Sequence, residues 1–437
     1  MRITVLGCGY LGATTAAGMA ELGHEVLGVE IDPDKRDQLV AGKVPFFEPD
    51  LQELLTTHVE SGRLRFTDDY AEAAAFGDVH FICVGTPQLA EGMGADLSQV
   101  YSAVEPLAPH LTRPTLVVGK STVPVGTAPA LAARLAELAP VGADAELAWN
   151  PEFLREGFAV EDTLRPDRLV FGVTSEAAEQ TLREVFATAL AADTPAIVTD
   201  FATAELVKVS ANAFLATKIS FINAVAEVCE VTGADIVDLA DSLGHDDRIG
   251  RKFLNAGVGF GGGCLPKDIR AFVHRAGELG AEGAMSLLSQ VDDINQGRRE
   301  HAVQVATSML DGSLAGARIA VWGAAFKPQT DDVRDSPALW IAGQLHLRGA
   351  QVSVYDPKAT ETARRMFPTL RYAADAVSCA QDADLLLHLT AWPEFAEVDP
   401  AVLRDVVRRP LLLDGGNCLD FDAWRDAGWT VRGLGRR

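Results

Sequence analysis

Cations are scarce in this chain. Against 61 aspartates and glutamates it sets only 38 lysines and arginines, for a formal net charge of -23. A surface of that sign repels phosphate backbones and anionic headgroups, so neither nucleic acid nor a membrane is expected as a partner. A small anionic ligand, which responds to local charge, stays compatible. Cysteine is also sparse, and the six residues Cys8, Cys83, Cys229, Cys264, Cys379 and Cys418 show neither CxxC nor ladder spacing. That argues against a disulfide framework and against a zinc site, so no metal is expected, and it fits free thiols in a reducing compartment. No apolar run reaches the length of a membrane span. The start, Met1 to Leu6, enters a glycine turn with neither an apolar h-region nor a small-residue cleavage site, so the expected location is cytoplasmic.

What is present points to several domains. At 437 residues and 48% hydrophobic, the chain can build two or three separate cores. Arg2–Leu6 reads as a short strand opening into Gly7-Cys8-Gly9-Tyr10-Leu11-Gly12, then a small-residue helix over 13–22 and a second strand, Glu25–Val29, ending at Glu30. Strand, GxGxxG, helix, strand and a following acid form the context in which this fingerprint binds a dinucleotide. Gly7 makes the turn, Gly9 admits the pyrophosphate to the helix N-terminus, and Gly12 lets helix and strand pack closely. Glu30 would accept from the ribose hydroxyls and repel a 2′-phosphate, which favours NAD over NADP; Lys35 and Arg36 close behind weaken that preference.

The pattern continues. Apolar strands over 79–84 and 115–119 end in Gly85-Thr86-Pro87 and in Lys120-Ser121-Thr122-Val123-Pro124. Ligands of a doubly wound sheet sit at the carboxyl ends of its strands, so Thr86 and Thr122 are candidates for cofactor contact; the other reading is that each begins a turn or caps a helix. A strand over 146–149 ends in Asn150-Pro151-Glu152-Phe153-Leu154-Arg155-Glu156-Gly157, where acids and an arginine crowd a strand end either for a ligand or as a plain helix entry. Strands over 169–173 and 196–199 close this first domain.

From about residue 201 the apolar spacing turns helical for some thirty residues without Gly or Pro, which makes a helix ~45 Å long. Its expected jobs are to bridge two domains and to supply a dimer interface. Lys208 and Asn212, four apart, share one of its faces. Arg248, Arg251 and Lys252 then form a local positive patch, suited to a diphosphate or else a solvated charge run. Next come five glycines in seven residues, Gly257 to Gly263, followed by Cys264-Leu265-Pro266-Lys267-Asp268. Glycines without Cβ atoms permit an amide-lined pocket, and a neighbouring cation raises the thiolate fraction of a thiol, so a nucleophilic cysteine is the sharp reading and a buried cysteine in a glycine turn the bland one. Residues 317–323 and 350–357 then repeat the opening pattern. The turn there, Gly323 to Pro328, lacks the GxGxxG spacing and suits the nucleotide part of a substrate, with Lys327 and Arg334 as its cations.

GCGYLG at 7–12, STVPVG at 121–126, NPEFLREG at 150–157, LVKVSANAFLATKISFIN at 206–223, GFGGGCLPKD at 259–268 and AFKPQTDDVRDSP at 325–337 resemble, in order and over nearly the whole chain, the UDP-glucose/GDP-mannose dehydrogenase family. The resemblance implies an α/β protein of two Rossmann-like doubly wound domains joined by a long central helix. An NAD domain would cover 1–200, a helical dimerisation segment with the cysteine loop 201–300, and a UDP-sugar domain 301–437. It implies a homodimer and a four-electron oxidation of a nucleotide sugar at C6, UDP-glucose favoured, with two NAD consumed. Cys264 would carry the thiohemiacetal and thioester, Lys208 would steady the oxyanion, Asn212 would assist, and Asp268 with Glu152 and Thr122 would organise a water. Tyr10, Leu11, Glu156, Lys267 and Arg334 would join the glycines, Glu30, Lys35, Thr86 and Thr122 around NAD. Glu152 to Arg155, Lys208, Phe253, Leu254, Asn255, Ala256, Gly257, Gly261 and Lys327 would line the substrate, and Arg248 would reach across the dimer.

One departure is that Gly263 stands where many members carry serine, which predicts an absent hydroxyl contact and a looser loop. The rival readings are the same chemistry on GDP-mannose or a UDP-N-acetylhexosamine, a non-catalytic NAD-binding regulator, which Cys264, Lys208 and Asp268 speak against, and a two-electron hydroxyacid or 6-phosphogluconate-type dehydrogenase, which needs no cysteine in a glycine loop.

Overall fold

The computed structural model describes residues 1–436. It divides into two compact units, the first made of residues 1–211 with 274–280 and the second of the remainder. The sheet of the first unit runs through β1 (Arg2–Leu6), β2 (Glu25–Val29), β3 (Leu64–Thr67), β4 (Val79–Ile82), β5 (Thr115–Gly119), β6 (Ala145–Trp149), β7 (Leu169–Gly172) and β8 (Ala196–Thr199). Their order in space is β3-β2-β1-β4-β5-β6-β7-β8. β4 is buried at every position and β5 at all but its first, as expected of parallel strands covered by helices on both faces. The helix α1 (Tyr10–Glu21) is built of Ala, Gly and Thr because it has no room for more: a Cβ on Gly18 would come within 2.4 Å of Thr163.

Two strands, β7 and β8, depart from the all-parallel pattern. β7 pairs antiparallel with β6 through Trp149 and Gly172, whereas β7 and β8 are parallel again. Antiparallel neighbours are joined at the same end of a sheet. The segment 150–168 therefore starts and finishes at the carboxyl end of β6, at the edge where ligands of such sheets bind.

The second unit carries β9 (Arg318–Trp322), β10 (Gln351–Tyr355), β11 (Arg371–Tyr372), β12 (Leu385–His388), β13 (Leu411–Asp414) and β14 (Thr430–Gly433), ordered β11-β10-β9-β12-β13-β14 and parallel throughout. Asp356, just past β10, occupies the place of Glu30 past β2, yet its carboxylate accepts the amides of Ala324 and Ala325 at 2.8 and 3.0 Å and the Trp392 indole at 3.0 Å. The acid that would meet a ribose is thus committed to its own turn.

The long helix α2 (Phe201–Thr232) has 32 residues, of which those to Ala211 belong to the first unit and those from Asn212 to the second. After it come α3 (Ile236–Gly244), α4 (Leu265–Glu278) and α5 (Glu282–Met309). α5 lays Ala302, Val303 and Ala306 into the core that holds Ile319 and Val321 of β9. Among the described residues, no helix is long and apolar enough to cross a membrane, and no group of three His, Cys, Asp or Glu could hold a metal ion.

Candidate active site

The turn after β1 has the form that a pyrophosphate needs. A Cβ on Gly12 would sit 1.8 Å from the Gly7 carbonyl oxygen, so that glycine is fixed by packing, while a Cβ on Gly9 would meet nothing within 4 Å, so the space over it is open to a ligand. Gly7 has φ +82°, which favours glycine. Glu30 is buried, accepts the Cys8 amide at 3.1 Å and the Asp32 amide at 3.0 Å, and keeps lone pairs for hydroxyl groups. These residues fit an NAD ribose and pyrophosphate. Tyr10 turns its hydroxyl to the buried carboxylate of Glu48, and burial together with that carboxylate pushes the phenol well up. Glu48 also accepts the amides of Gly157 and Ala159, both at 2.7 Å, and so ties the 150–157 segment to α1. Lys35 lies 3.7 Å from Asp32 at the start of the next helix.

At the carboxyl ends of β4, β5 and β6 the expected residues do meet. Thr86 donates to the Thr122 carbonyl at 2.7 Å. Lys208 is 7% exposed and pairs at 3.0 Å with Glu152, 12% exposed, whose second oxygen accepts the Leu154 amide at 2.6 Å. Lys208 also lies 5.5 Å from the centre of the Phe153 ring, which carries the Arg168 guanidinium at 3.8 Å. One turn earlier on α2, buried Glu205 accepts the amides of Gly126 and Ala128 at 2.8 and 2.6 Å, and burial raises its pKa. The first turns of α2 thus hold two strand-end loops, one through an acid and one through a lysine. Beneath them Lys120 is buried, donates to Asn150 at 3.0 Å and has its pKa lowered by that burial.

The thiol lies in the second unit. Cys264 is exposed and immediately precedes the first residue of α4, where unpaired helix amides stabilise a thiolate. On the first turn Asp268, 3% exposed, accepts from Asn212 at 2.7 Å and from Lys267 at 2.6 Å. Asn212 therefore orients Asp268 directly.

The glycines before Cys264 have a different cause from the one their composition suggests. A Cβ on Gly261 would lie 2.2 Å from the Asp335 carbonyl oxygen, on Gly262 2.7 Å from the Phe326 ring, and on Gly263 2.3 Å from the Arg334 guanidinium. Gly262 also donates to the Arg334 carbonyl at 2.9 Å. Three successive glycines thus receive three groups of the turn 326–337. The space that a serine side chain would need at 263 is filled by Arg334, itself held by Asp332 at 2.6 Å. Lys327 lies on the same turn, 5.8 Å from the Phe326 ring centre.

Other expected site residues are engaged within the chain. The side chains of Leu254 and Ala256 are buried in a core with Ile222, Ala226 and Ile236, so only their main chain can meet a ligand. The cationic patch is largely neutralised: Arg248 pairs with Asp246 at 2.6 Å, and Arg251 with Asp241 at 2.5 Å and Asn255 at 2.7 Å. Arg155 is engaged by Asp162 at 2.5 Å. Phe253 is partly exposed with φ +65°, and Gly257 donates to Asn223 at 2.8 Å. Glu48 and Glu205 had no motif to announce them, and Asn223 only closes the stretch 206–223; each works through main-chain amides distant in sequence.

Residues 1–190 match the NAD binding domain of the UDP-glucose/GDP-mannose dehydrogenase family, residues 202–297 its central domain and residues 320–421 its UDP binding domain. Over 438 aligned residues the chain is 41% identical to a UDP-glucose 6-dehydrogenase of Rhizobium meliloti, covering all of both chains. It is 40% identical to the UDP-glucose 6-dehydrogenase YwqF of Bacillus subtilis, covering all of this chain and 98% of that one. The solved UDP-glucose dehydrogenase of Pyrobaculum islandicum superposes with a TM-score of 0.91 at 38% identity, over 100% of this chain and 98% of that one. A UDP-D-ManNAc dehydrogenase of Pyrococcus horikoshii gives 0.88 at 28%, over 100% and 99%. The chain therefore belongs to the UDP-glucose/GDP-mannose dehydrogenase family.

Proposed function

We propose that this protein oxidises the C6 alcohol of UDP-glucose to the carboxylate of UDP-glucuronate, with Cys264 as covalent carrier. The observation that carries the reading is an exposed thiol at a helix N-terminus beside a buried, doubly held Asp268. Gly7, Gly9 and Gly12 would hold NAD, which would supply the hydride acceptor, one NAD for each of the two oxidations. Between them the Cys264 sulfur adds to the C6 aldehyde, and the resulting hemithioacetal becomes a thioester that water cleaves, regenerating the thiol. Lys208 places its ammonium on the developing oxyanion. Asp268, oriented by Asn212, and Glu152 with Thr122 move protons to and from the attacking water.

Tyr10, Leu11, Glu30, Lys35, Thr86, Glu156, Lys267 and Arg334 complete the cofactor set in this reading. Residues 152–155, 253–257, Gly261 and Lys327 hold the sugar nucleotide, Leu254 and Ala256 through main chain alone. The segments 1–200, 201–300 and 301–437 divide cofactor, thiol loop and nucleotide among them. UDP-glucose is preferred over other sugars because the relatives at 40 and 41% identity carry that substrate in their names, against 28% for the UDP-D-ManNAc enzyme. The test is to count NADH and sugar acid from UDP-glucose, GDP-mannose and UDP-GlcNAc side by side. Two NADH per acid, fastest with UDP-glucose, is expected; one NADH with free aldehyde contradicts the reading.

We further propose a cytoplasmic homodimer, consistent with six free cysteines and with an exposed apolar stripe on α2. Phe214, Phe221 and Val228 recur every seven residues and are 67, 54 and 57% exposed, a row that a second copy of the helix would cover. Exposed Arg248 would then reach the substrate of the other copy. Phe221→Glu is expected to give monomers in sedimentation velocity; an unchanged dimer would remove α2 from the interface.

A further inference from the structure

Behind the thiol loop stand three buried polar side chains of α5, Asn295, Arg298 and Arg299. Asn295 accepts the Phe260 amide at 2.7 Å and donates to the Phe260 carbonyl at 3.0 Å, in the gap left by the missing Cβ of Gly259. Arg298 donates to the Gly257 carbonyl at 3.2 Å and pairs with Glu227 at 3.2 Å. Arg299 joins the thiol loop to the turn at Asp335. Its Nη1 donates to Asp335 Oδ1 at 2.7 Å, and its Nη2 to the Phe260 carbonyl at 3.0 Å and the Asp335 carbonyl at 3.4 Å.

We propose that Arg299 is a positioning residue for the reaction, fixing Cys264 by fastening the main chain at Phe260 to the turn at Asp335. A buried guanidinium is costly, and replacing a buried ion pair by well-packed apolar side chains is often neutral for stability, so stability alone does not call for it. Its Nε has no partner at all. What a guanidinium supplies and an apolar side chain or an ammonium cannot is a rigid planar fork whose two ends reach different acceptors at once. Those acceptors are the segment leading into Gly261, Gly262 and Gly263 and the turn whose Asp335, Phe326 and Arg334 rest on those three glycines. The loop is therefore gripped on both sides, and the sulfur at its end inherits a fixed place over the N-terminus of α4. A displacement of about 1 Å at a reacting atom costs on the order of a hundredfold in rate.

The kinetic half of this inference rests on the reaction proposed above; the chemical half does not. Full-length Arg299→Lys and Asp335→Asn are compared with the native chain and with Ser220→Ala, a buried control whose hydroxyl donates to the Val291 carbonyl at 2.7 Å. For Arg299→Lys, kcat with UDP-glucose is expected to fall roughly tenfold or more while KM stays within about threefold. Alkylation by iodoacetamide, read by mass spectrometry on the peptide carrying Cys264, slows with it; Asp335→Asn moves both rates the same way by less, and Ser220→Ala moves neither. If Arg299→Lys alkylates and turns over like Ser220→Ala, the proposal is overturned. Should Arg299→Lys fail to fold, unaltered alkylation in Asp335→Asn overturns it instead. Alkylation needs no turnover, so a native chain inert toward UDP-glucose would sink the reaction assignment and leave this test standing.

Discussion

Cys264→Ala is expected to lower sugar-acid formation by roughly 10³-fold or more while leaving NAD affinity within about twofold. The size of the effect follows from what surrounds the sulfur. Lys267 is held 2.6 Å from Asp268, and Asp268 is also fixed by Asn212, so neither is a spare nucleophile. Without a covalent tether the aldehyde of the first oxidation can leave, and a hydrated aldehyde must find the second hydride acceptor unaided. NADH release should therefore fall to at most one per sugar, with aldehyde in the medium and hardly any acid. Cys264→Ser should fare little better, since a hydroxyl is far less acidic than a thiol and is weak without an adjacent general base. NAD affinity is spared because the GxGxxG turn and Glu30 belong to the other unit. The measurement pairs absorbance of NADH with chromatography of acid and aldehyde, and calorimetry for NAD. Undiminished acid formation would take Cys264 out of the reaction.

The parts of this molecule that could be read from sequence are those whose cause is local. β1, the glycine turn, α1 and Glu30 follow from apolar runs, φ requirements and a fixed spacing, and each lies where that pattern puts it. The long helix could be read because thirty residues without Gly or Pro leave little else. β3, β11 and β14 carried no such signal: they are two to four residues long at or near sheet edges, and LRFT and TVRG look like any loop. The antiparallel turn of β7 was invisible because a strand's direction is set by the connection before it and not by its own residues. In the candidate site, Cys264, Lys208 and Asn212 stood out as polar groups in apolar or glycine-rich surroundings. The residues that hold the surrounding loops did not. Glu205, Asn295 and Arg299 read as ordinary polar residues on helices, since what they grip is a main chain 35 to 79 residues away. The cause of the glycines is not legible in composition alone. Composition says that side chains are absent, and only three dimensions say that Asp335, Phe326 and Arg334 take their place.

Lys208→Met should cost about 3–5 kcal/mol of stability as well as nearly all activity, and the two losses should separate. Lys208 and Glu152 are almost wholly buried and 3.0 Å apart, so deleting the lysine strands a carboxylate in a medium that solvates it poorly. The destabilisation is therefore chiefly the charge left behind. Adding Glu152→Gln should recover most of it, because an amide oxygen still accepts the Leu154 amide, now 2.6 Å from Glu152, without carrying a charge. Turnover should not return with stability, since the ammonium assigned to the oxyanion is still missing. Urea unfolding and NADH release on the native chain, both single variants and the double variant form one cycle that tests both statements. If the double variant regained activity together with stability, Lys208 would be a structural cation and the oxyanion would need another partner. If Lys208→Met unfolded at the same urea concentration as the native chain, the pair would not be buried as described.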